Sequence, residues 1–133
     1  MWYERIPVFR YRLLEDRSYL TGVRPAREVY LERDGETVAL LERDGRLTVF
    51  AGFTWDGASG PAIDTENFME SSMAHDALYW MMRQGHLGLS WRRQADLLMF
   101  RLARRNGMSL PRACWTYAAV RLFGEVAAHL DGA

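Results

Sequence analysis

The chain has 133 residues, and its 17 basic and 17 acidic side chains cancel. That length makes one domain with a proper core, and the balanced charge argues against a nucleic-acid partner captured by a global field. Hydrophobic residues make up 49% of the chain, which excludes disorder, and a single cysteine, Cys114, excludes an internal disulfide or a cysteine-rich metal centre. No stretch has the apolar run of a signal peptide or a membrane span, so the expected location is cytoplasmic or virion-associated.

In chain order, residues 5–53 read as a β module. Ser18–Val23 and Glu28–Glu32 alternate moderately, and Glu36–Leu41 and Arg46–Phe50 flank an Asp-Gly turn at Glu42-Arg43-Asp44-Gly45. The same four residue types occur ten positions earlier, at Glu32-Arg33-Asp34-Gly35. Two such turns predict a meander of three short antiparallel strands. Pro25 cannot donate to a ladder, so it marks an edge or a bend. From Ala51 to Thr65, glycine and proline are too frequent for regular structure, and residues 54–64 read as a junction loop.

Three helical patterns follow, over about residues 65–130. Asp64 or Thr65 is the expected N-cap of the first, which Gly85 ends after Gln84. Ser90 is the expected cap of the second, which Asn106-Gly107 ends. Ser109 caps a third with Pro111 in its first turn. Apolar residues spread so widely round the third pattern, Arg112 to Leu130, that it is expected to be buried against the other two. The predicted fold is therefore α+β, one domain over residues 1–133, with an N-terminal antiparallel meander and a three-helix unit.

The chemistry collects on the first two helices. His75 and Asp76 are adjacent, about 100° apart around one helix, and Tyr79 lies one turn beyond His75 on the same face. If the second helix returns antiparallel across Gly85–Gly88, Asp96 faces His75. A histidine held by a carboxylate beside a second carboxylate suits a hydrolase, with the histidine as general base. The junction loop can also present backbone oxygens together with the Asp56 carboxylate, the ligand type a hard cation such as Ca²⁺ takes. The plainer alternative has each group in an ordinary structural pairing, Asp76 with Arg83 or Arg93 and Asp96 with Arg92. His86 sits in a turn and His129 near the terminus, so neither completes a metal phosphohydrolase site with His75 and Asp76.

The ordered strings Gly52-Phe53-Thr54-Trp55-Asp56-Gly57-Ala58-Ser59-Gly60-Pro61, His75-Asp76-Ala77-Leu78-Tyr79 and Ala95-Asp96 resemble a phage and prophage family, domain of unknown function 1353. The resemblance covers about residues 45–125 and implies a phage-linked setting, with other phage proteins as partners. More distantly, the same residues resemble the phospholipase A2 superfamily, above all its short, disulfide-free version in parvovirus capsid proteins. That resemblance implies an antiparallel helix pair in which His75 is the general base, Asp96 orients it, and Tyr79 hydrogen-bonds Asp96. It further implies Ca²⁺ held by Asp76 with oxygens of Trp55, Gly57 and Ser59, and phospholipid or a membrane surface as substrate. The loop departs from the superfamily's Tyr-x-Gly-x-Gly and adds Asp56, so the metal site is either rebuilt around Asp56 and Asp76 or the loop is structural. On the non-enzymatic alternative, a phage structural or accessory protein, the His-Asp-Tyr-Asp set is a buried polar network.

Overall fold

A computed structural model of the chain describes residues 2–7, 10–56 and 66–129. Seven strands precede the helices: β1 (Tyr3–Ile6), β2 (Arg10–Leu13), β3 (Arg17–Leu20), β4 (Val29–Arg33), β5 (Glu36–Leu41), β6 (Arg46–Val49) and β7 (Thr54–Trp55). They form two antiparallel sheets, of order β1-β2-β7 and β3-β6-β5-β4. The helices are α1 (Glu66–Arg83), α2 (Arg92–Arg105) and α3 (Leu110–His129), with a short 3₁₀ turn at Leu89–Trp91 before α2. The fold is α+β, as the sequence pattern predicts.

The predicted meander is β4-β5-β6, and its turn chemistry is local. Asp34 and Gly35 both take positive φ (52° and 78°), the backbone a two-residue hairpin with right-handed twist needs. At the second turn Gly45 has φ 96°, and the Asp44 carboxylate accepts the Arg46 amide at 3.0 Å. Pro25 lies in the bend between β3 and β4, which end up at opposite edges of the four-stranded sheet.

Three expectations change. The β module reaches past the expected residues 5–53 at both ends: β1 starts at Tyr3 and pairs with β2, and β2 pairs with β7, which lies inside the expected junction loop. The tie is aromatic. Trp2, Tyr3, Tyr11 and Phe53 gather their rings within 6.3 Å of Trp55, and the Trp55 indole donates to Ser72 of α1 at 3.1 Å. Ser90 does not cap α2; it lies in the 3₁₀ turn, and the N-cap position falls to Trp91 without a side-chain bond. The expected caps Asp64 and Thr65 lie outside the described residues.

The third change concerns α3. Ala113 and Thr116 face inward, but Leu110, Trp115 and Leu122 are 51%, 50% and 75% exposed. Among the described side chains only one stripe of α3 is covered, because α1 and α2 approach it from one side.

Val29, Leu31, Ala39, Leu41, Leu47 and Val49 are buried with Met73, Ala77, Leu78 and Met81 of α1, so α1 is the central element between sheet and helices. Glu70 on α1 fixes that packing at one end, accepting bonds from Arg17 and Tyr19 of β3 and from Asn106 at the end of α2. Glycine stops set the angles between helices. After α1, His86 and Gly85 donate to Met81 and Met82; after α2, Met108 and Gly107 donate to Ala103 and Arg104, with Gly85 and Gly107 at φ 77° and 98°. Ser109 caps α3, its hydroxyl accepting the Arg112 amide at 3.4 Å. Gly107→Ala is expected to cost about 1 kcal/mol in urea unfolding, because a side chain is strained at that φ.

Candidate active site

α1 presents its functional groups on two faces because adjacent helical residues diverge by about 100°. His75 and Tyr79, one turn apart, look toward α2, with ring centroids 4.1 Å apart. The antiparallel return of α2 brings Asp96 to them. His75 Nε2 lies 2.7 Å from Asp96 Oδ1, and the Tyr79 hydroxyl donates to the same oxygen at 2.6 Å. The three residues that the sequence sets together are together in the structure.

Asp96 is fully buried, yet it is a carboxylate. Burial pushes its carboxyl pKa up, but the bonds from His75, Tyr79 and Arg121 outweigh that and hold it below the usual range. Arg121 Nη1 donates to Oδ2 at 2.8 Å, and Arg92 stands 3.9 Å from the same oxygen, one turn away on α2. Burial and the bond to Asp96 together raise the Tyr79 hydroxyl, so Tyr79 stays a donor. An ionised Asp96 can only accept, so Nε2 carries the proton shared with it, and in the neutral ring the lone pair is then on Nδ1. His75 keeps 15% of its side chain exposed. A neutral ring whose tautomer is fixed in this way is what a general base requires.

Asp76 points to the other face of α1, toward the end of β4 and β7. It lines a cavity of about 210 Å³ with Arg33, Thr54, Trp55, Asp56 and Trp80. Burial is the largest influence on Asp76 and Asp56 adds to it; Arg33, Arg83 and His75 oppose them, and the carboxyl is left pushed up to about 6. The Arg33 guanidinium is held between two rings, 4.6 Å from the Phe53 centroid and 4.8 Å from that of Trp80, and donates to the Thr54 carbonyl at 2.7 Å. Arg83 covers Trp80 as well, at 4.7 Å.

The predicted residues thus divide into two places. His75, Tyr79 and Asp96 form one network between α1 and α2; Asp76, Asp56 and Trp55 border the cavity beside β7, whose described lining does not include His75. Gly57 and Ser59 lie outside the described residues. Among the described residues no group of three or more histidine, cysteine, aspartate or glutamate side chains is gathered as a metal site.

Two participants were missed in the sequence. Arg121 is 25 residues from Asp96 on another helix, where no motif marks it. Its one signal is a lone cation between Val120 and Leu122 in an apolar helical pattern. Arg33 belongs to the Arg-Asp-Gly turn in sequence, where nothing aims it at Asp76.

The class defined by these features is an α+β domain with a histidine held by a buried carboxylate between antiparallel helices. Comparison with protein-family models, with curated proteins and with solved structures finds no match.

Proposed function

We propose that this chain is an ester hydrolase whose general base is His75, working in a phage or prophage setting on phospholipid or other esters. The observation that carries the reading is the 2.7 Å bond from His75 Nε2 to a buried, ionised Asp96. Asp96 orients the imidazole and stabilises the imidazolium that forms when Nδ1 takes a proton from water. Tyr79 and Arg121 hold the carboxylate in place. The ordered motifs that resemble phage proteins and the phospholipase A2 superfamily support the setting and the substrate class.

The implied cation is Ca²⁺. Asp56 and Asp76 on one cavity suit a hard cation, and the raised Asp76 pKa marks a negative charge that its surroundings leave undercompensated. Asp76 and Asp56 would hold the ion, completed by backbone oxygens of the loop beginning at Trp55. Bound there, it would supply a Lewis acid for an ester carbonyl.

One observation favours a second reading, a non-enzymatic phage structural or accessory protein. Asp96 also receives Arg121 and Tyr79, and a carboxylate so fully bonded locks three helices together whether or not His75 reacts. The deciding experiment measures release of acid from phospholipid vesicles and from small soluble esters, with calcium and with a chelator. Turnover by the wild type that falls by at least about a hundredfold in His75→Ala supports the hydrolase. No turnover on any of these substrates moves the reading to the structural protein.

A further inference from the structure

The two outer helices divide their surfaces by chemistry. On α2 every exposed side chain is an arginine: Arg93, Arg101, Arg104 and Arg105. Every exposed side chain described on α3 is uncharged and predominantly apolar: Leu110, Pro111, Cys114, Trp115, Ala118 and Leu122. At 100° per residue those six fall within an arc of about 140°. Among the described side chains of α3 the one charge within that arc is Arg121, which turns to Asp96, and an apolar stripe of that length is uncommon on a surface that stays in water.

The two surfaces adjoin. α2 and α3 meet where Phe100 packs edge-on against Tyr117, at 6.2 Å, and where Asp96 binds Arg121. Round α2, Arg93 and Arg104 stand within about 40° of Phe100 on the side away from the core; round α3, Leu110 and Cys114 stand within about 60° of Tyr117, again outward. The apolar stripe therefore runs beside a cationic ridge. The composition repeats the asymmetry: the chain is neutral as a whole, yet residues 77–122 contain eight arginines and one acidic residue, the buried Asp96.

We infer that the α2–α3 face docks on an anionic lipid surface, the α3 stripe entering the acyl boundary and the α2 arginines meeting the head groups. Apolar contact and cationic attraction acting side by side are the two forces that hold an amphipathic helix in a membrane interface. Among the described residues no helix is long and apolar enough to cross a membrane, so α3 lies along the surface. A second copy of this chain is the poorer occupant, because it would bring a second arginine ridge against the first. The inference stands on surface chemistry and does not rest on the hydrolase reading.

The test uses the full chain with ether-linked, hydrolysis-resistant lipids: phosphatidylglycerol vesicles against phosphatidylcholine vesicles, read by sedimentation. Cys114, the one cysteine of the chain, carries a nitroxide that reports depth from inside the stripe. Expected are binding to phosphatidylglycerol at least about tenfold tighter than to phosphatidylcholine, and weakening with added salt. Leu122→Asp and Arg93→Glu should each lower it by about tenfold. On binding, the nitroxide should become shielded from an aqueous relaxant and open to oxygen. Leu122 and Arg93 are exposed, so both variants should keep the wild-type melting temperature. His75→Ala should bind vesicles as the wild type does, so loss of esterase activity and loss of docking separate cleanly. No binding to phosphatidylglycerol, equal affinity for both lipids, or a nitroxide that stays in water overturns the inference. So does a wild-type dimer that Leu122→Asp splits, which would assign the stripe to a second copy.

Discussion

Asp96→Asn is expected to lower ester turnover by roughly 10³–10⁴-fold while leaving a folded protein that is about 2–3 kcal/mol less stable at pH 7. The kinetic loss follows from the tautomer. A carboxamide can turn its NH₂ toward Nε2, which then becomes the acceptor, and the lone pair needed at Nδ1 is lost. The stability loss follows from Arg121 and Tyr79, which bond at 2.8 and 2.6 Å to a carboxylate that is completely buried. Its pH dependence has a definite sign. The Asp96 carboxyl is depressed on folding, so its contribution is complete above its unfolded pKa of about 4 and fades as pH falls through the lower folded value. Urea unfolding of the two proteins should therefore differ at pH 7 and converge in strong acid. If Asp96→Asn is less stable while catalysing at the wild-type rate, the network is structural and His75 is not the base.

The legible parts of this protein are those whose causes are local. Asp34, Gly35 and Gly45 determine their hairpins through backbone φ and Asp44 through its carboxylate, so the β4-β5-β6 meander can be read from four residues. Gly85 and Gly107 end α1 and α2 in the same way, and the short link between them makes the helices antiparallel. Helical periodicity does the rest for His75, Tyr79 and Asp96, because one turn of α1 fixes which two rings look at α2. What was not legible depends on distant partners. β7 is two residues long and exists because β2 pairs with it and Trp55 seats its ring among Tyr3, Tyr11 and Phe53. Exposure of α3 depends on how many elements cover it, which its own sequence does not encode; a broad apolar arc fits a buried helix and a docking helix equally. Arg33 and Arg121 became part of the two sites only through packing between elements far apart in the chain.

The second large effect should run in the opposite direction: Asp76→Asn is expected to stabilise the metal-free protein by about 2–3 kcal/mol at pH 7. Asp76 is pushed up to about 6, chiefly by burial, against an ordinary carboxyl pKa of 3.8. A folded-state pKa above the unfolded one means that the native protein holds its proton longer. Wild-type stability is then greatest in acid with respect to this group, declines between about pH 4 and pH 6, and is level above that. The Asp76→Asn protein has no such slope, so the two should match near pH 4 and separate by pH 6. Arg33 and Arg83 already offset part of the cost, which is why the gain stays well below that of removing an unpaired buried charge. Calcium supplies the other arm. A cation held by Asp76 and Asp56 stabilises the ionised form, so millimolar Ca²⁺ should raise the wild-type melting temperature at pH 7 and leave Asp76→Asn unmoved. Thermal unfolding across pH 4–8, with calcium and with chelator, measures both arms. A stability slope without any calcium response would leave Asp76 a structural carboxylate, its charge answered by His75 and by the arginines stacked on Trp80.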